Sequence, residues 1–301
     1  MKRLVVLAIP VLTVCACKAP DRREAPPRAP AATATAISQD TVVLVGAGDI
    51  ADCTSDGDEQ TALLLDSISG TVFTTGDNAY SSGTDSQFAR CYAPSWGRQK
   101  ARTRPAPGNH DYRTADAGPY FAFYGVQAGD SGRGYYSYNL GAWHIVSLNS
   151  NIDMKAGSEQ ERWLQTDLAA TQARCVLAYW HHPRFSSGTE HGSLAKTAPL
   201  WQALYDHGAE VALAGHEHNY ERFAPQTASG AADSARGLRE FVVGTGGADH
   251  YPFGPPIANS EVRNGDTWGV LKLTLLPDSY RWRFVPVSGK TFTDSGSATC
   301  H

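Results

Sequence analysis

A single α/β domain is the fold class this sequence predicts, on three observations. Strand-like apolar runs alternate with helix-like stretches along most of the chain, the order that builds sheets flanked by helices. Runs such as 41–45, 175–180 and 211–214 are apolar without a polar alternation, as expected of strands covered on both faces. No linker-like stretch interrupts the chain after residue 41, and 301 residues allow one large domain.

Taken in order, the β-branched run 41–45 predicts a buried first strand. Residues 58–69, with Leu63, Leu64, Leu65 and Ile68, predict a helix, and 72–75 a second strand. A second helix is expected over 86–102, after which Arg104-Pro105-Ala106-Pro107-Gly108 leads to Asn109. Residues 112–134 carry Gly118-Pro119 and four further glycines, so they are expected to be loop. A turn at Gly141 joins 135–140 and 142–148 as paired strands. Ser158 with Glu161 three residues on is a capping box opening a helix over 158–171. Strands 175–180 and 211–214 bracket a helix over 199–207, a further strand 241–243 runs into Gly244–Gly247, and 267–287 is expected to close the fold as a hairpin around Pro277-Asp278.

Composition narrows the function classes. The chain is 42% hydrophobic and 19% charged, with a net charge of −4 that becomes more negative if Lys2 and Arg3 are removed. That balance argues against a nucleic-acid-binding surface, which needs an excess of Lys and Arg. Met1-Lys2-Arg3 followed by apolar residues 4–14 predicts an export signal, too short to span a bilayer, which takes roughly 20 residues. Val14-Cys15-Ala16-Cys17 resembles a lipoprotein cleavage box, so residues 1–17 are expected to be a signal peptide and Cys17 a lipid anchor at the periplasmic face or cell surface, with an ordinary secreted protein as the alternative. The Pro- and Ala-rich stretch 18–40 predicts a tether, leaving 41–301 as the folded domain. Membrane contact is expected only through that lipid. Cys53, Cys91, Cys175 and Cys300 remain, an even number fit for disulfides in an oxidising compartment. Three connectivities are open; the nearness of the segments favours Cys53–Cys91 and Cys175–Cys300.

Asp49, Asp77, Asn109, His181 and His216 each follow an apolar strand-like run within a few residues. A lone Asp after Gly is ordinary turn chemistry. Five potential ligands delivered to the carboxyl ends of strands, where α/β folds gather their sites, point instead to metal binding. His216 and His218 sit two apart, on one face of an extended chain.

Gly48-Asp49, Gly76-Asp77-Asn78-Ala79-Tyr80, Gly108-Asn109-His110-Asp111, Ala178-Tyr179-Trp180-His181 and Gly215-His216-Glu217-His218 resemble, in order, the five blocks of calcineurin-like metallophosphoesterases. Tyr80 and His218-Asn219-Tyr220-Glu221-Arg222 are similar to the purple acid phosphatase branch. The resemblance spans essentially all of 41–301 and implies a β-sandwich flanked by helices, four layers deep (α/β/β/α). It implies a ferric site of Asp49, Asp77, Tyr80 and His218, and a divalent site (zinc, manganese or iron) of Asp77, Asn109, His181 and His216, with Asp77 shared. Pro183 makes His181, not His182, the match to the family's His-x-Pro. Ala51 departs from the Gly usual in the branch, and the N-terminal domain of the plant enzymes has no counterpart.

The activity so implied is hydrolysis of phosphomonoesters by a hydroxide held between two metals, with a diesterase on the same site as the alternative. A non-catalytic metal-bearing surface protein belongs to a different class, and filled ligand positions argue against it. The leaving oxygen needs a proton donor; His110, beside Asp111, and His191, in Glu190-His191-Gly192, which resembles the family's second active-site histidine, are the candidates. His144, His207, His250 and His301 lie outside the blocks and are expected to be structural. Gly244–Gly247 is open to two readings, a backbone approach to the metals or a plain turn.

Overall fold

The computed structural model describes residues 41–301. The signal-like segment 1–17 with Cys17 and the tether 18–40 lie outside the described residues.

Two mixed sheets form the body. The first has the order β13-β12-β11-β1-β2-β3 and the second β10-β8-β9-β7-β6-β5-β4. In the first, β1 (Val42–Ala47), β2 (Thr71–Thr75) and β3 (Thr103–Ala106) run parallel. They are extended antiparallel by β11 (Gly269–Leu276), β12 (Ser279–Pro286) and β13 (Ser295–Thr299). In the second, β5 (Trp143–Ser147), β6 (Cys175–Tyr179), β7 (Val211–Ala214) and β9 (Arg239–Val243) run parallel. Antiparallel β4 (Tyr136–Leu140), β8 (Tyr220–Phe223) and β10 (Ser260–Asn264) complete it.

Leu44, Phe73, Leu271 and Leu273 of the first sheet share one core with Ile145, Leu177, Leu213 and Phe241 of the second. The far face of the second sheet buries Val146, Val176, Ala178 and Val242 against Leu164 and Leu168 of α4 (Glu159–Ala170) and Trp201 and Leu204 of α5 (Ala198–Asp206). On the other side, α1 (Gly57–Ser67) packs on β11. This is the expected sandwich of two sheets between helices. Every residue of β5, β6 and β7 is buried, as the unbroken apolar runs required. Both expected disulfides are present, Cys53–Cys91 and Cys175–Cys300, with Cα separations of 5.3 and 5.7 Å.

Four local expectations need correction. The 86–102 helix is broken into a single turn α2 (Asp85–Gln87), a π turn over Phe88–Tyr92 and a 3-10 stretch over Trp96–Arg102. Pro94 brings no N–H, and Ser95 sits at φ −99°, ψ −102°, off helical geometry. Conversely, 112–134 is not all loop. Gly118–Tyr124 is helix α3, because Pro119 falls in its first turn, where the missing N–H costs nothing. β3 was hidden by Pro105, tolerated because β3 is the edge strand. The α4 capping box is half formed: Ser158 Oγ accepts from the Glu161 amide, but Glu161 Oε2 takes the Gly157 N–H.

Candidate metal centre

Asp49 and Asp77 follow β1 and β2 by two residues, Asn109 follows β3 by three, and His181 and His216 follow β6 and β7 by two. All lie at the carboxyl ends of the parallel strands, and the two sheets bring those ends together. The turns are tight enough that Asp49, Asp77 and His216 have left-handed φ values of 59°, 50° and 70°, each costing about 1–3 kcal/mol for a residue other than Gly. Gly108 explains why small residues precede the ligands: a Cβ there would stand 2.1 Å from Asp77 Oδ1.

The seven predicted ligands converge. Asp77 Oδ2 lies 3.2 Å from Tyr80 Oη and 3.2 Å from His181 Nε2. On one side of it, Tyr80 Oη is 2.9 Å from Asp49 Oδ1 and 3.0 Å from His218 Nε2. On the other, His181 Nε2 is 2.8 Å from Asn109 Oδ1 and 3.1 Å from His216 Nδ1. Four of the remaining atoms are held by backbone. The His110 N–H donates to Asp77 Oδ1 and the His216 N–H to Asp49 Oδ2. His181 Nδ1 meets Thr75 O and His218 Nδ1 meets Asp249 O. A carbonyl only accepts, so both Nδ1 atoms carry a proton, and Nε2 is the atom each ring turns inward.

Asp49 and Asp77 are buried, and among the described residues neither pairs with a Lys or Arg. Buried carboxylates need positive charge, and inward-facing oxygens and imidazole nitrogens are donors for hard or borderline cations. The residue set therefore fits metal binding, and Asp49, Asp77 and His181 offer ligand atoms within 4.8 Å of one another. Burial alone would raise the Asp77 carboxyl, but the His181 and His110 rings hold it well below the usual range. Burial, then Asp49 and Asp77, push the Tyr80 phenol far up; a phenolate here requires a strongly charged cation beside it. Burial with three neighbouring imidazoles, His181, His182 and His191, pushes His216 far below its ordinary value, leaving it neutral as a ligand must be.

Both predicted proton donors reach this centre. The His191 ring stacks on His216, centroids 3.9 Å apart. His110 lies 4.5 Å from the Tyr80 ring, its Nδ1 on Ser81 O and its Nε2 3.9 Å from Asp77 Oδ2. His182 bonds Ser150 Oγ through Nδ1, and its ring centroid lies 4.4 Å from that of His216. Gly244–Gly247 braces the Asp49 turn, with Gly246 N–H on Gly48 O. The outlying histidines bind structural partners, His144 to Asp167 and Asn139, His207 to Ala203 O, and His301 to Glu210; His250 stacks on Trp268.

Three residues escaped the sequence reading. Tyr251 lies flat on His218, centroids 3.8 Å apart, at an interplanar angle of 11°. Asp111, raised to about 7 by burial and then Asp77, accepts from Gly108 N and Asn78 Nδ2 and so ties two ligand loops together. Glu217 anchors the His191 loop. Glu217 and Asp111 lie inside ligand blocks, whereas Tyr251 carries no sequence signal of its own.

The calcineurin-like phosphoesterase family matches residues 31–220, and the chain belongs to it. Its relatives within that family include purple acid phosphatases. It is 36% identical over 107 residues to purple acid phosphatase 15 of Arabidopsis thaliana, covering 34% of this chain and 20% of that protein. It is 30% identical over 165 residues to probable purple acid phosphatase 20 of the same plant, covering 46% and 39%. The chain thus spans well under half the length of these relatives. In fold it is similar to a purple acid phosphatase from yellow lupin seeds, TM-score 0.71 at 20% identity, covering 86% of this chain and 54% of that one. GAP50, the anchor in the inner membrane complex of Plasmodium, has a TM-score of 0.67 at 14% identity over 87% and 89%.

Proposed function

We propose that this protein is a binuclear-metal phosphatase that hydrolyses phosphomonoesters, as purple acid phosphatases do. The observation that carries the reading is Asp77 Oδ2, equidistant from Tyr80 Oη and His181 Nε2 with further donors on each side. A carboxylate oxygen so placed is built to be shared by two cations. Asp49, Asp77, Tyr80 and His218 would hold a ferric ion, and Asp77, Asn109, His181 and His216 a divalent one, zinc, manganese or iron. When bound, the pair supplies Lewis acidity and a hydroxide nucleophile for in-line attack on phosphorus.

The chain's own residues do the rest. His191, stacked over the His216 side, has no hydrogen bond to its ring among the described residues and faces solvent, so it is free to carry a proton to the leaving oxygen. His110, over the Tyr80 side, keeps Nδ1 on Ser81 O and has Nε2 to offer. The family, the relatives and the donor set support the hydrolase class. Two disulfides are in keeping with export to an oxidising compartment, where Cys17 would carry the lipid anchor.

Rates on p-nitrophenyl phosphate and bis(p-nitrophenyl) phosphate, with and without chelator, test the reading. Chelator-sensitive hydrolysis favouring the monoester is expected. Preference for the diester would make the protein a phosphodiesterase, and no turnover of either would leave a non-catalytic metal-bearing surface protein.

A further inference from the structure

The loop between His181 and α5 has no helix or strand of its own through residue 194, yet it must hold His191 against His216. Three buried glutamates hold its backbone. Glu240 accepts from the Arg184 and Phe185 amides at 2.8 and 2.9 Å. Glu221 accepts from the Ser187 amide at 2.7 Å and from its hydroxyl. Glu217 Oε1 accepts from the His191 amide at 2.7 Å and the Gly192 amide at 2.5 Å. All three carboxylates are fully or nearly fully excluded from solvent.

Glu217 stands apart from the other two. Its second oxygen, Oε2, is buried without a partner, a costly arrangement for a carboxylate. Its place in the chain is between His216 and His218, on opposite sides of the site. Charge-assisted bonds to backbone N–H groups are roughly twice as strong as neutral ones, so one oxygen fixes both amides that flank the His191 side chain. The ring itself is unbonded among the described residues, and its position is inherited from that backbone. Gly188 completes the anchor by lying on the carboxylate: a Cβ there would be 2.2 Å from Glu217 Cδ.

We propose that Glu217 is a positioning residue for proton transfer, setting the His191 imidazole over the leaving-group side of the site by holding the His191 and Gly192 amides from the turn that bears His216 and His218. This rests on the reading of His191 as the donor. The turn that delivers two ligands then also sets the donor, so the metals and the acid share one frame.

The test compares His191→Ala, Glu217→Ala, Glu217→Gln and the double variant His191→Ala/Glu217→Ala, each with metal content, rates on an alkyl phosphate and p-nitrophenyl phosphate, and hydrogen exchange at the 191 and 192 amides. Glu217→Ala is expected to lose roughly 10- to 100-fold on the alkyl ester and much less on the nitrophenyl ester, whose leaving group needs little protonation. Both ions should stay bound, the two amides should exchange faster, and the double variant should be no slower than His191→Ala. Glu217→Gln, keeping an oxygen for both amides, should retain most of the alkyl-ester rate. Gly188→Ala, which crowds the carboxylate without deleting it, should reproduce the Glu217→Ala pattern if Glu217→Ala fails to fold. Equal losses on both esters, multiplied penalties in the double variant, or loss of metal from Glu217→Ala would overturn the proposal. A His191→Ala variant with no preference between esters would instead bring down the donor reading, and the positioning role with it.

Discussion

The two halves of the centre, on either side of Asp77, differ in chemistry and in exposure. The half around Tyr80 offers Asp49, a phenol and one imidazole, and Asp49, Tyr80 and His218 are all buried. The half around His181 offers Asn109 and two imidazoles, and His216 and Asn109 are only partly covered. Oxygen donors carrying up to three negative charges, counting Asp77, suit a small, highly charged cation. Neutral nitrogen and amide donors suit a divalent one. In the proposed binuclear reading, the closed half, richer in anionic oxygen, would hold its ion as a fixture, and the more open half would take substrate.

Asp77→Ala should break the comparison outright. Removing the shared oxygen is expected to cost both ions and reduce hydrolysis to background, measured by metal analysis beside the rate. Retention of one full equivalent of metal would show that the halves are independent.

Next in size, His216→Ala should act on the open half alone, lowering divalent content and activity while the Tyr80 half keeps its ion. Equal loss of both ions would contradict the division. His110→Ala should do less: both ions stay, because it is the backbone N–H at 110 that donates to Asp77. Its rate is expected to fall at most about 100-fold, the lower end of general-acid contributions, and loss of either ion would show its ring acting as a ligand.

How legible this was in the sequence depended on how local each signal is. The strand ends were plain because each apolar run stops at Gly or Ala-Tyr-Trp before a ligand type, as at Gly76-Asp77 and Gly215-His216. Both disulfides followed from neighbouring segments. What failed was set by tertiary context. Pro119 in a first helical turn, Pro105 on an edge strand and the break at Pro94 and Ser95 look alike as sequence, yet one starts a helix, one sits in a sheet and one ends a helix. Tyr251 stacks on His218 from 33 residues away, a contact no spacing rule announces.

The smallest effects on the centre should come from the disulfides. Each is expected to contribute about 2–4 kcal/mol of stability, with Cys175–Cys300 exceeding Cys53–Cys91 by about 1 kcal/mol on loop length alone, since they span 125 and 38 residues. Denaturant unfolding of Cys→Ser pairs checks this. An unchanged metal content in Cys175→Ser/Cys300→Ser would keep the centre separate from that staple, whereas loss of metal would join them.

The asymmetry itself is tested most directly by the visible spectrum of the metal-loaded protein beside its iron content. A phenolate-to-iron charge-transfer band, with one iron per chain and the band lost in Tyr80→Phe, is the result predicted for a ferric ion in the closed half. A colourless, iron-free and fully active protein would contradict it and leave two divalent ions in a site whose halves do the same work.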